Sequence, residues 1–250
     1  MYEAVHAYPD GASTAARFAA TAERYGYDGV VVRADDASPE YGRLRESLSV
    51  DVVDAAEIVA SDPQHASGAV GNARTKHTVV IVAGGTNALN RFAVEQARVD
   101  VLARPFEGTV NGDDRNGPNG RNGNGNGDGD VNHVLAKAAR DNDVRIEVNL
   151  GPVLRDRGGR RVRHLRKLRK LKQLLDHYDA PYVVSANPTS HLKLRAPREL
   201  GAVGEEIGLG AEWTRAGLEA WDRLVARNRE RLSESFIAPG VERGRYEEDD

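Results

Sequence analysis

Short apolar runs and longer amphipathic ones alternate almost from end to end of this 250-residue chain, and no other feature restricts its fold as tightly. Asp28–Arg33 (DGVVVR), Thr78–Ala83 (TVVIVA), Arg145–Leu150 (RIEVNL) and Tyr182–Ser185 (YVVS) read as strands, joined by Ala4–His6, Val50–Ile58 and Val99–Ala103. Between them, Thr14–Tyr25, Pro39–Leu48, Asn87–Gln96 and Asn132–Asp141 read as helices, and Pro197–Ile207 and Trp213–Leu232 close the chain. Strands separated by helices imply a parallel sheet, because parallel neighbours need crossover connections that then cover the sheet. About seven such units in one domain favour an α/β fold of the closed (β/α) barrel type, whose usual length is about 250 residues. An open doubly wound sheet is the alternative. No linker divides the units, so a single domain over residues 1–238 is expected.

One stretch breaks the alternation. From Asn111 to Asp130, 17 of 20 residues are Gly, Asn or Asp, and Pro118 is the lone apolar side chain. Such a segment cannot offset its ordering entropy by burial, so a disordered insert is expected at about residues 108–130. It carries no GxxxxGK[ST] phosphate-binding pattern, and it should be dispensable. The acidic end of the chain, residues 239–250, is likewise expected to be a disordered, solubilising tail.

Composition removes several classes. The chain has no cysteine, which excludes disulfides, thiolate metal sites and cysteine nucleophiles. No run approaches the ~18 apolar residues of a membrane span, and the N-terminus lacks a secretory pattern, so a cytoplasmic location without membrane contact is expected. Arg outnumbers Lys 29 to 6, a bias consistent with a GC-rich genome, so summed charge says more than Arg identity.

Charge is concentrated in one place. Arg155–Lys172 (RDRGGRRVRHLRKLRKLK) holds ten Arg or Lys against one Asp, in a chain whose formal net charge is −3. Val162, Leu165, Leu168, Leu171 and Leu174 recur at a spacing of three, with Leu175 beside them, which gives one apolar helical face. That face should dock on the barrel while Arg160, Arg161, Arg163, Arg166, Lys167, Arg169 and Lys170 are displayed. Phosphate is the commonest partner for such a display. Simple solubilisation and docking on an acidic protein are the alternatives, and membrane-surface binding is disfavoured by the lack of Trp or Phe. A second basic group, Lys193, Arg195 and Arg198 in HLKLRAPREL, precedes or opens a helix with Pro197 in its first turn. Arg33, Arg74, Lys76 and Arg104 are scattered cations whose commoner role is in salt bridges.

Catalytic patterns are sparse. The seven histidines form no HxH or HExxH pair, and Ser185 has no GxSxG around it. His6, Glu147 and His191 occupy positions from which a barrel-rim metal site could be built, the basis of a rival reading as a metal-dependent phosphoesterase. Glu147, flanked by apolar residues, could instead pair with an Arg in the barrel mouth.

The runs Val183-Val184-Ser185-Ala186-Asn187, Leu194-Arg195-Ala196-Pro197-Arg198-Glu199-Leu200 and Ile207-Gly208-Leu209 resemble the signature of the ribonuclease P protein component 3 family of archaea. Eukaryotic counterparts share the LR-x-PR-(D/E)-L pattern. Gly26-Tyr27-Asp28-Gly29-Val30 and Ile146-Glu147-Val148-Asn149 are supporting matches. The resemblance implies a TIM-barrel-like fold related to PHP phosphoesterases. It also implies a non-catalytic subunit that helps a catalytic RNA remove 5′ leaders from precursor tRNA, with protein component 2 and other protein components as partners. PHP enzymes carry HxH on the first strand and a Ser-Asp-Ala-His type segment on a late one. Here Val5-His6-Ala7-Tyr8 and Ser185-Ala186-Asn187 stand in those places, so no catalytic or metal-binding residues and no cofactor of the chain's own are expected. Mg²⁺ would belong to the RNA, and precursor tRNA would be reached indirectly.

Overall fold

The computed structural model describes residues 1–33, 41–106, 129–233, 236–238 and 241–242. Most of the expected insert and of the acidic tail lies outside these residues. Seven strands, β1 (Tyr2–His6), β2 (Gly29–Arg33), β3 (Asp51–Ile58), β4 (Val79–Ala83), β5 (Val101–Ala103), β6 (Arg145–Asn149) and β7 (Tyr182–Ser185), pair in chain order, all parallel. They form a nearly closed barrel within an α/β, TIM-barrel-like fold.

Nine helices among the described residues surround or cap these strands. They are α1 (Ala15–Tyr25), α2 (Tyr41–Ser47), α3 (Pro63–Arg74), α4 (Asn87–Glu95), α5 (His133–Asp141), α6 (Gly151–Arg155), α7 (Gly158–Tyr178), α8 (Pro197–Glu206) and α9 (Ala211–Leu232). A short antiparallel pair, β8 (Phe236–Ala238) and β9 (Val241–Glu242), follows. Local chemistry sets the helix ends. The Thr14 hydroxyl accepts the Arg17 N–H ahead of α1, and Gly26, at φ 80°, supplies the left-handed turn that stops it.

Helix α3 escapes the sequence reading because its apolar face is small. Only Ala66, Val70 and Ala73 are buried, at helical spacing, and Asp62 caps the Gln64 and His65 N–H groups. The expected basic helix is two helices: α6 ends at Arg155, and Gly158, at φ 58°, opens α7.

The barrel interior is filled by Tyr2, Ala4, Val31, Val53, Ala55, Val79, Ile81, Val101, Ala103 and Val183, together with Trp221, Leu224 and Val225 of α9. Helix α9 reaches them by crossing the strand N-termini. Arg229 pairs with Asp51 at the start of β3, the Asn228 amide donates to Thr78 O before β4, and Arg227 pairs with Asp100 and Asp143 before β5 and β6. The Trp221 indole N–H donates to Val184 O at 2.9 Å, which fixes the plug. That end of the barrel is sealed by side chains.

The edges of β1 and β7 share no strand ladder, yet polar groups span the seam between them. The His6 N–H donates to Pro188 O at 3.0 Å. The Ser185 hydroxyl and the Ala186 N–H both donate to Oε1 of Glu3, a fully buried residue. Tyr27 holds its single hydroxyl hydrogen between Arg195 O at 2.8 Å and Glu3 Oε2 at 3.4 Å. Burial lifts the Glu3 carboxyl to about 7, against the pull of those donors and of Arg33.

Candidate functional site

The C-terminal ends of the strands meet at a mouth with a cavity of about 320 Å³, lined in part by His6, Arg33, Glu57, Arg104 and Thr189. Two of its carboxylates are held by guanidiniums, while Asp10, also on the lining, has no ion pair among the described residues. Arg33 Nε and Nη1 and Asn187 Oδ1 are buried without a hydrogen-bond partner. Arg33, fully buried, donates from Nη2 to Glu147 Oε1 and lies 3.6 Å from Glu57 Oε2 through Nη1. Arg104 Nη2 donates to Glu57 Oε1 at 2.6 Å. Glu147 Oε2 accepts the Arg104 backbone N–H at 3.3 Å and the Asn187 amide at 3.2 Å. Below them, the Arg33 guanidinium stacks 5.7 Å from the centroid of Trp221. Strand-end cations therefore do not accumulate open potential at this rim, because Glu57 and Glu147 offset Arg33 and Arg104.

The same geometry bears on a metal. Burial raises the Glu57 carboxyl, but Arg33 and Arg104 outweigh it and hold Glu57 below the usual carboxylate range. Burial pushes His6 below its ordinary value despite Glu57 at 3.6 Å, which favours a neutral ring. Glu147 has both oxygens taken, and His191 Nδ1 shares a 2.8 Å hydrogen bond with Ser13 Oγ. Among the described residues, no three His, Asp or Glu side chains are grouped to hold a metal ion. The residues of a dinuclear hydrolase centre do not fit this mouth: a guanidinium stands where a cation would have to sit. Ser185 is committed to the seam, its Oγ accepting the Asn187 N–H at 2.9 Å while it donates to Glu3.

The basic side chains lie elsewhere. On α7, Leu168, Leu171 and Leu175 are buried, with Leu165 and Leu174 partly buried against the same core. Val162, expected in this docking face, is instead 47% exposed. A spacing of three drifts by about 60° per step round an α-helix, so Val162 points away from the face of Leu168. Arg161 and His164, the latter bonded to Asn149 O at 2.7 Å, take the inward positions. Around the stripe, Arg163 and Arg166 are exposed and make no hydrogen bond or ion pair with described residues.

The other expected contacts are partly engaged. Arg160 faces Asp156 at 3.7 Å, and Lys170 is paired with Asp130 at 2.5 Å. Arg161 donates to Asp156 O, Lys167 to Phe106 O and Arg169 to Ile207 O. A carbonyl partner orients a cation without cancelling its charge, so Arg161, Lys167 and Arg169 still contribute to the potential. The α7 surface keeps most of its positive charge.

Lys193, Arg195 and Arg198 are all exposed, the first two between β7 and α8 and the third in the first turn of α8. Lys193 donates to the Thr189 hydroxyl at 3.0 Å, and Arg195 donates to Leu194 O at 2.9 Å. Arg198, in the first turn of α8, has no hydrogen-bond or ion-pair partner among the described residues. Beside it stand Arg24 at the end of α1 and Arg215 on α9, around a concavity of about 490 Å³. Neither was visible as a site residue in the sequence, because they lie on separate helices and share no motif with Arg198. The two basic surfaces are joined by α8, whose N-terminal turn lines this concavity and whose C-cap Ile207 accepts from Arg169 of α7.

No helix among the described residues is long and apolar enough to cross a membrane. Comparison with known proteins places this architecture. A solved chain from the cryo-EM structure of archaeal ribonuclease P with mature tRNA superposes with a TM-score of 0.76 at 21% identity, covering 100% of both chains. An uncharacterized protein of known crystal structure matches less well, with a TM-score of 0.53 at 9% identity over 96% of this chain and 76% of its own. Ribonuclease P protein component 3 of Halorubrum lacusprofundi is 56% identical over 100% of both chains. That of Haloarcula marismortui is 49% identical over 96% of each, and that of Methanococcoides burtonii 32% identical over 95% of this chain and 91% of its own. The profile of the family described as RNase P subunit p30 matches residues 1–114 and 122–233. With that match spanning nearly the whole barrel, the chain belongs to the RNase P subunit p30 family.

Proposed function

We propose that this chain is the component 3 subunit of an archaeal ribonuclease P, and that it grips the catalytic RNA through phosphate contacts while that RNA removes the 5′ leader of precursor tRNA. The observation that carries this reading is a division of charge within one barrel. Cations on α7 and the α8 entry face solvent, whereas at the barrel mouth Arg33 and Arg104 are paired with Glu147 and Glu57. The first surface suits a polyanion, and in the second Glu57 and Glu147 are held by guanidiniums, with no metal-holding group of His, Asp or Glu among the described residues. In this reading Mg²⁺ acts within the RNA, component 2 and other proteins assemble with the chain, and precursor tRNA is engaged through the RNA.

Charge reversal tests it. Arg195→Glu with Arg198→Glu, and separately Arg163→Glu with Arg166→Glu, are assayed in particles reconstituted with ribonuclease P RNA. Precursor tRNA cleavage should weaken and RNA affinity should lose part of its salt dependence, because released counterions scale with phosphates contacted. Unchanged cleavage and affinity for both variants across several salt concentrations would remove these assignments. Stoichiometric Zn²⁺ or Mn²⁺ in the purified protein, with phosphodiesterase activity of its own, would favour the metal-hydrolase rival instead.

A further inference from the structure

From the concavity beside the α8 N-terminus we infer a discrete phosphate-binding pocket, formed by Arg24, Arg198 and Arg215, that holds a backbone phosphate of the RNA apart from the α7 surface. This rests on the RNA-binding reading and adds a second point of attachment to it. Three different helices, α1, α8 and α9, each place one guanidinium on a concavity of about 490 Å³. Three acids stand nearby, against the three guanidiniums and the N-terminal amine. Glu199, on the lining, accepts the Ala196 N–H at 2.8 Å as the capping partner of α8, which orients it without cancelling its charge, and Asp28 pairs with the N-terminal amine. Glu212 pairs with Arg215 at 2.6 Å, but both are exposed, and such pairs separate readily.

Arg24 and Arg198 make no hydrogen bond or ion pair with any described residue. Neither is ion-paired, the Glu199 carboxylate on the same lining being held at the α8 cap, and an oxyanion between the two guanidiniums lowers their mutual repulsion. Guanidinium suits this work because its planar donors pair with two phosphate oxygens at once. The positive end of α8 opens on the same concavity and adds to the field.

Position favours RNA over an acidic protein segment. Helix α8 has ten residues, so its ends are about 15 Å apart. Its far end touches Arg169 on α7, and Lys193 and Arg195 lead into its near end. One polyanion can therefore contact the pocket and the α7 surface together, with α8 setting the spacing.

The test compares wild type, R24Q/R198Q/R215Q and R163Q/R166Q, each as full chain. Affinity for ribonuclease P RNA is measured over a salt series, and phosphate-ethylation interference maps which phosphates matter. Exposed Arg to Gln changes should leave thermal unfolding unaltered, and circular dichroism checks that. The pocket variant is expected to weaken binding at least tenfold at low salt, to reduce the salt slope by about two, and to lose interference at a compact group of phosphates that the α7 variant retains. If the pocket variant keeps the wild-type slope and map while the α7 variant loses affinity, the pocket is overturned and RNA binding stands. If neither variant differs from wild type, the RNA-binding reading falls with it. If the pocket variant binds RNA normally but no longer assembles with the other protein components, the concavity docks a protein and the phosphate assignment is wrong.

Discussion

Glu3 offers a direct measurement of what the barrel seam costs. Its carboxyl is fully buried and lifted from 4.5 to about 7, first by burial, with the Ser185 and Ala186 donors opposing. A carboxyl whose folded value lies above its unfolded one stabilises the fold below pH 4.5, and loses that contribution as pH rises through 7. The difference is worth about 3 kcal/mol by pH 8, at about 1.4 kcal/mol per unit. Hydrogen bonding explains why the neutral form fits. Tyr27 gives its hydrogen to Arg195 O at 2.8 Å, so a protonated Glu3 Oε2 can donate to the Tyr27 oxygen 3.4 Å away. Glu3→Gln reproduces that pattern at every pH, with Oε1 accepting from Ser185 and Ala186 and Nε2 donating to Tyr27. Urea unfolding at pH 5 and pH 8 should show near equality at pH 5. At pH 8 the variant should be more stable by about 3 kcal/mol, a rise of roughly 6–12 °C in Tm for a chain of this size. Parallel stability curves for the two proteins across that range would refute the argument.

Other perturbations follow from the same contacts. Arg33→Met should destabilise the fold by about 3–5 kcal/mol, since it strands Glu147 and weakens the neutralisation of Glu57 in a buried site; denaturant midpoints check this. Trp221→Ala should cost about 3–5 kcal/mol by opening a cavity in the barrel plug, visible in thermal unfolding. Gly217→Val should also destabilise, because even a Cβ there would lie 2.3 Å from Val184 Cγ2, and reduced yield of folded protein with a lower Tm is the expected readout. Deletion of residues 112–127 should leave Tm within about 2 °C of wild type, given a composition that buries almost nothing.

The sequence by itself determined the architecture. Apolar runs such as Val79–Ala83 and Tyr182–Ser185, each followed by a crossover, leave a parallel sheet wrapped in helices as the consistent solution. It also located the charge, because ten cations within eighteen residues are visible without coordinates, and the LRAPREL segment pointed to the family. Periodicity failed where the local pattern was weak or its surface missing. Helix α3 docks through two Ala and one Val, too little to register as an amphipathic face, and Val162, three residues before Leu165, has drifted off the buried face of α7 because an α-helix turns once in about 3.6 residues.

Only the tertiary structure decided which charges remain open. Arg33, Glu57, Arg104 and Glu147 come from four strands or strand ends; the apolar flanks of Glu147 pointed to an Arg partner in the mouth, but which Arg it meets, and that Glu57 and Arg104 join them, is not in the spacing. Arg24, Arg198 and Arg215 converge from three helices separated by up to 191 positions in the chain. Spacing along a chain reports on one element at a time, whereas electrostatic potential and cavity shape are sums over neighbours in space. Barrel closure is what makes those neighbours.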